Sequence, residues 1–223
     1  MTRRRIPETD KGIQGEANVE IFDTFRRRMR DQGRIQVENI FEAGINGGAV
    51  LEVGPGPGYF GLEWLKQSDN GRLTGIEISP DMLELAARNA GDYGLGEKSE
   101  YVLGNAMEMP FGDNSFDAVI SNGSLHEWQD PVRVFREIYR VLKPGGRFCV
   151  IDLCREANPI IAGLIKITVK PKEAKSGFVS SLNAAYTAAE VQDILKAAGI
   201  SKFVITRHPI ALGIAGEKTE KMQ

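Results

Sequence analysis

The residues best suited to chemistry cluster around one glycine-rich segment, VLEVGPGPGYFG, which runs an apolar strand-like stretch straight into a turn and then a helix. Gly54, Gly56 and Gly58 allow a tight bend and let the main chain approach a ligand where a Cβ would obstruct it. Glu77 closes the next apolar run, TGIEI, at the distance where an acidic side chain can accept a ribose hydroxyl. The pattern has two readings, because Gly56, Gly58 and Gly61 also satisfy the dinucleotide fingerprint G-x-G-x-x-G. Glu52 separates them. Its carboxylate, two residues before Gly54, would repel a pyrophosphate and attract a ligand that carries an ammonium and a sulfonium. The alternative use of Glu52 is to cap neighbouring backbone amides.

A second candidate is His126, in SNGSLHEW just beyond a further apolar run. It is the histidine placed to take a proton from a substrate or to line its pocket, whereas His208 precedes Pro209 in a different setting. Glu127, Trp128 and Tyr186 are further pocket candidates. Cys149 and Cys154 are too few and too close together for a disulfide framework or a zinc site, and read as small apolar residues.

These residues need a scaffold that brings strand ends together. From Gly48 onward, apolar runs at Ala49–Val53, Leu73–Ile78, Glu100–Leu103, Ala118–Ser121 and Arg147–Asp152 alternate with helical patterns at Tyr59–Gln67, Pro80–Ala90 and Pro131–Leu142. That alternation predicts an α/β fold with a parallel sheet covered by helices on both faces, and ligands in such folds bind beyond the carboxyl ends of the strands. Thr187 and Glu190 form a capping box for a helix ending near Gly199. Lys202–Thr206 and Ile210–Ala215 then form a terminal antiparallel pair. Before the core, Ala17–Arg30 and Arg34–Ala43 are amphipathic, with Ile21, Phe22, Phe25 and Met29 on one face, and residues 1–44 are expected to be a tail and a mobile helical lid. The domain proper covers 45–223, with an acceptor-specific insert around 155–186. Its apolar run from Ile160 to Val169 is either an ordinary amphipathic helix or the wall of a hydrophobic pocket that could touch a membrane surface.

The 223 residues suit one domain, and the net charge of −2 gives no general attraction to nucleic acid. Arg3, Arg4 and Arg5 and the run Arg26, Arg27, Arg28, Arg30 are locally basic, but lack the aromatic interleaving of a nucleic-acid surface. No stretch approaches the length of a spanning helix, and no apolar run follows the basic start, so a cytoplasmic protein is expected.

With those residues in view, the sequence resembles the class I S-adenosylmethionine-dependent methyltransferases, in the branch similar to the ubiquinone and menaquinone C-methyltransferases. VLEVGPGPG resembles that family's first motif, TGIEISPDML its second, GNAMEMPFGDNSFDAVISNGSLHEW its third and fourth, and LKPGGRFCVID a later strand with its preceding turn. The resemblance implies a Rossmann-like, doubly wound, seven-stranded sheet, mostly parallel with an antiparallel C-terminal strand, and a cofactor, S-adenosyl-L-methionine. It places Glu52, Gly54, Pro55, Gly56, Gly58 and Tyr59 at the methionine end with Ser121, Asn122 and Gly123. Glu77 would accept both ribose hydroxyls, Ile78, Ser79 and Met82 would flank the adenine, and Asn105, Ala106 and Met107 would border its amino edge. The partner implied is a small-molecule methyl acceptor, and His126, from its place after the fourth strand, is the candidate catalytic residue. A nucleic-acid-directed or catalytically silent module and a nicotinamide-dependent oxidoreductase are the competing readings. The first is disfavoured because Gly123 and Ser124 follow Asn122 where amino-group methylators of nucleic acids carry Pro-Pro-aromatic.

Overall fold

Seven strands form one sheet in the order β3-β2-β1-β4-β5-β7-β6. The computed structural model describes residues 4–8 and 12–219. Arg3 therefore lies outside the described residues. The strands are β1 (Gly47–Val53), β2 (Asp69–Glu77), β3 (Ser99–Leu103), β4 (Phe116–Asn122), β5 (Leu142–Leu153), β6 (Phe203–Arg207) and β7 (Ala211–Glu217). The first five pair in parallel, while β7 lies antiparallel between β5 and β6. The order reverses between β1 and β4, so a crevice opens there, above the glycine turn.

Alternation along each strand divides the core in two. Leu51, Val119, Phe148 and Val150 face a cluster with Phe135, Ile138, Val191 and Leu195, whereas Val50, Ala118, Ile120 and Cys149 face Phe60 and Trp64. Helices α3 (Tyr59–Gln67), α4 (Pro80–Asp92), α5 (Pro131–Val141) and α8 (Ala188–Ala197) cover these faces. Each of three helix starts is fixed by the side chain expected of a cap: Ser79 for α4, Asp130 for α5, and Thr187 with Glu190 in a full capping box for α8.

The N-terminal region divides differently from the expectation. Helix α1 (Glu16–Asp31) contacts α3 and α4, and α2 is only Glu38–Glu42, shorter than the expected Arg34–Ala43. Its Ile40 is fully buried beside Val37, Ile45 and Trp64 in the second core cluster. Full burial of such a side chain contributes ~1.5–3 kcal/mol, which ties α2 to the domain body. The segment 155–186 forms α6 (Pro159–Thr168) and α7 (Ala174–Ala184), two helices where the sequence pattern shows one apolar run and a loop.

Candidate active site

The end of β1 turns through three glycines in the left-handed region, Gly54 at φ 66°, Gly56 at 54° and Gly58 at 83°. At Gly54 a side chain would also collide, its Cβ lying 2.8 Å from that of Ser124, while a Cβ on Gly56 would touch the Phe22 ring of α1 at 3.4 Å. The loop is thus bare on the side over which α1 sits.

A cavity of 1560 Å³ opens above the loop. Of the residues expected to hold the cofactor, Gly54, Pro55, Gly56, Glu77, Ile78, Met82, Asn105, Ala106, Met107, Asn122 and Gly123 line it, as does His126. Glu77 is 6 % exposed and makes three hydrogen bonds: Ile78 N and Ser79 N donate to Oε1, at 2.9 and 3.0 Å, and Gly56 N donates to Oε2 at 3.0 Å. Burial raises its pKa against the pull of those amides. A carboxylate offers about four lone-pair sites, so three are spent on holding the loop and one remains for a ligand hydroxyl, where two hydroxyls were expected. An anionic acceptor beside a bare loop, with Ile78 and Met82 on one wall and Asn105 to Met107 on the other, fits a nucleoside.

Five expected residues lie behind the cavity wall. Glu52 has the parity of Val50 along β1, so its side chain goes under α3 and not into the crevice. It is 1 % exposed, and Gly61 N donates to Oε1 at 3.2 Å while Oε2 has no hydrogen-bond partner among the described residues. Burial pushes its pKa up to about 8 against the opposing charge of Arg26, which itself lines the cavity. Glu52 therefore acts on a ligand only through the loop and Arg26. Tyr59 Oη donates to Asp23 Oδ1 at 2.8 Å and so ties α1 to α3. Ser121 is fully buried, donating to Val53 O at 2.8 Å and meeting Ser124 Oγ at 2.7 Å. Ser79 caps α4, and Gly58 packs against Ala86 and Tyr101.

At the far end of the cavity, His126 sits in the turn Leu125–Glu127 after β4, and Asp152 ends β5 beside it. Asp152 Oδ2 accepts from the His126 backbone N at 2.7 Å, and its Oδ1 lies 2.8 Å from His126 Nδ1. Nε2 lies 3.3 Å from Glu8 Oε2 and 3.9 Å from Glu127 Oε1. Burial works against a charge on this imidazole, but Asp152 first, then Glu8 and Glu127, hold its pKa up at about 10. So arranged, both ring nitrogens face carboxylates, which favours the charged imidazolium. Glu127 is raised as well, but by burial, which pushes its carboxyl up to about 7 against the pull of His126.

Asp152 and Glu8 were not among the expected site residues. Asp152 carries a visible signal, an acidic residue at the carboxyl end of a core strand. Glu8 carries none. It belongs to a segment laid along α7: Ile6 N donates to Asn183 O at 3.1 Å, Arg5 donates to Ala184 O at 2.6 Å and to His126 O at 2.8 Å, and its guanidinium stacks 4.1 Å from the Tyr186 ring centre. Further on, Ser79 Oγ donates to Ile13 O at 2.6 Å and Gly15 N donates to Asp81 Oδ2 at 2.8 Å, so the chain also crosses beside Glu77. Ile21, Phe22, Phe25 and Met29 of α1 and Ile161, Ile165, Val169 and Phe178 of α6 and α7 line the rest. Among the described residues no helix is long and apolar enough to cross a membrane.

Comparison with known proteins agrees with this geometry. Residues 51–150 match a family model described as a methyltransferase domain. An uncharacterized methyltransferase of Bacillus subtilis, YdaC, is 34 % identical over 148 residues, 66 % of this chain and 74 % of that protein. A ubiquinone/menaquinone biosynthesis C-methyltransferase of Hahella chejuensis is 29 % identical over 171 residues, 71 % of this chain and 67 % of that protein. Among solved structures, a candidate S-adenosyl-L-methionine-dependent methyltransferase of Methanococcus maripaludis superposes with a TM-score of 0.73 at 27 % identity, covering 99 % of this chain and 98 % of the other. One from Aquifex aeolicus, at 21 % identity and a TM-score of 0.69, covers 93 % of this chain and all of the other, and shares the fold. The glycine turn at the sheet's switch point, the carboxylate on β2 and these likenesses converge: the chain belongs to the class I S-adenosylmethionine-dependent methyltransferases, in the branch similar to the ubiquinone and menaquinone C-methyltransferases.

Proposed function

We propose that this methyltransferase acts on a small, largely apolar acceptor whose reacting oxygen, or ring carbon beside an oxygen, is presented to His126. The observation that carries this reading is the continuity of the cavity: it runs from the loop and Glu77 to a chamber walled by α1, α6 and α7, where Phe22, Phe25, Ile161, Ile165 and Phe178 supply apolar surface and His126 lies among polar side chains. The volume of 1560 Å³ exceeds what a typical pocket for one small ligand needs, roughly 300–1,000 Å³, so cofactor and acceptor fit together.

S-adenosylmethionine, when bound, supplies an electrophilic methyl group on a sulfonium. Gly54, Gly56 and one free site on Glu77 would hold its methionine and ribose portions, and Ile78 and Met82 its adenine. The cover formed by α1 excludes water, and holding acceptor and methyl group in line supplies much of the rate. His126, fixed by Asp152, would donate a hydrogen bond from Nε2 to an acceptor oxygen that arrives as its anion, its proton already lost to solvent, and stabilise that charge once the acceptor displaces Glu8. The Hahella relative is named for quinone biosynthesis, which makes hydroquinones with an apolar tail the first acceptors to try.

A thermal-shift series tests the cofactor side: S-adenosylmethionine or S-adenosylhomocysteine raises the melting temperature and NAD does not. Methyl transfer from labelled cofactor to a panel of phenols, hydroquinones, amines and oligonucleotides tests the acceptor side. Transfer confined to the oligonucleotides overturns the reading.

A further inference from the structure

Around His126 three carboxyl groups converge on one imidazole. Glu8, Glu127 and Asp152 all face this single imidazole, and the side chains of His126 and Asp152 are 5 % and 2 % exposed. Arg5 lies close by and donates to the main-chain carbonyls of Ala184 and His126. Uncompensated carboxylates in a confined site are costly, and a multivalent cation is the direct remedy.

We propose that Glu8, His126 and Glu127 bind one divalent first-row transition-metal ion at the acceptor end of the cavity. The donor atoms all lie within 4.8 Å of one another, with Nε2 at 3.3 Å from Glu8 and 3.9 Å from Glu127. Ligands held about 2.0–2.2 Å from a common ion stand about 3–4 Å apart, so closure needs only small rotations of the two glutamates. The imidazole is already oriented for the purpose. Asp152 holds Nδ1, which leaves Nε2 as the ligating atom, in the carboxylate–histidine–metal arrangement that fixes tautomer and ring direction. Glu127 is a second, separate indication: it lines the cavity, and among the described residues its ion pair with His126 is too long for a hydrogen bond.

One nitrogen and two carboxylate oxygens suit zinc, manganese, iron or cobalt in the divalent state better than magnesium or calcium, which favour oxygen alone. Binding releases the Nε2 proton to solvent, and the ion takes over that proton's place facing the acceptor. With three protein ligands, open positions remain toward the cavity. Because Glu8 lies on the N-terminal segment and the other two ligands on the turn after β4, the ion would also clasp residues 4–8 onto the body of the protein. The inference goes beyond the methyl-transfer reading and does not depend on the cofactor.

The test uses the full chain, stripped with a chelator and titrated calorimetrically with Zn²⁺, and with Co²⁺ followed by its visible absorption. One ion per chain is expected. His126→Gln and Glu127→Gln should each weaken binding at least 100-fold, Glu8→Gln about 10- to 100-fold and Asp152→Asn at least 10-fold, while His208→Gln should change nothing. Melting curves confirm that each variant is folded, and protection of the N-terminal segment from proteolysis on adding Zn²⁺ gives a second readout, lost in Glu8→Gln. A wild-type chain that binds no Zn²⁺ or Co²⁺ below 100-micromolar concentrations, on the order of the weakest useful site, overturns the proposal. So does equal binding by the wild type and by folded His126→Gln, or a preference for Mg²⁺.

Discussion

His126 and Asp152 are joined at both the backbone and the ring: one carboxylate accepts from the backbone N–H of His126 at 2.7 Å and holds its Nδ1 at 2.8 Å. A strand end and a turn from different parts of the sheet thereby fix one imidazole, and Nε2 has a single direction in which to point.

The pairing makes the protonation of His126 a property of Asp152. Its pKa is held at about 10 in the folded chain, above the ordinary 6.5. The stabilisation it brings is therefore complete below pH 6.5 and disappears as pH rises through about 10. With two histidines in the chain, imidazole resonances can be followed by NMR. In the wild type, free of added metal, His126 should stay protonated through pH 9, whereas in Asp152→Asn it should titrate at distinctly lower pH, because only Glu8 and Glu127 then oppose burial. An unchanged titration in Asp152→Asn would show that Asp152 does not hold the proton.

Glu77 performs two tasks, and its replacement should show both. Glu77→Ala removes an acceptor for the cofactor and frees the three amides of Gly56, Ile78 and Ser79. Affinity for S-adenosylmethionine should fall on the order of 10- to 100-fold, since a hydrogen bond to a charged group contributes roughly 1.5–3 kcal/mol. The melting temperature should also drop. Calorimetry on Glu77→Ala beside the surface variant Glu84→Ala decides it, and wild-type affinity in the former would place the ribose elsewhere.

Helix α1 is fastened at its centre by the bond from Tyr59 Oη to Asp23, a residue 9 % exposed. Tyr59→Phe leaves that carboxylate with Arg27, 3.5 Å away, as its ion-pair partner. The cover should loosen by about 1–2 kcal/mol, read as faster proteolysis within residues 16–31 and weaker cofactor retention, with the sheet intact. Identical cleavage rates in variant and wild type would mean that the apolar face of α1 alone holds it down.

Glu52 should make the protein less stable as pH rises. Its folded pKa of about 8 lies above the ordinary 4.5, so the folded state keeps a proton that the unfolded chain releases, and the stability gained this way is lost between pH 4.5 and about 8. Glu52→Gln keeps an oxygen for the Gly61 amide and carries no charge. Its melting temperature should exceed that of the wild type at pH 8.5 and vary less from pH 5 to 8.5. A larger decline in the variant than in the wild type would show that the charge is needed to hold Arg26.

The sequence by itself determined the sheet, the helix caps and the identity of the cofactor loop, because these rest on local rules. Alternation specifies a strand, Ser79, Asp130 and Thr187 each bond to amides within three residues, and glycines in the left-handed region announce their turn. The direction of a side chain at a strand end was less legible. Glu52 and Glu77 are both acidic residues near such ends, but the parity of β1 sends Glu52 under α3 while Glu77 reaches the crevice. What only the tertiary structure decided is the acceptor end. Glu8, His126 and Asp152 come from the N-terminal segment, a turn and a strand that are far apart along the chain, and no periodicity or spacing relates them. Tertiary closure does the rest: the carboxylates that favour a charged His126, and the desolvation that raises Glu127, come together only once α7, the N-terminal segment and the sheet have closed around them.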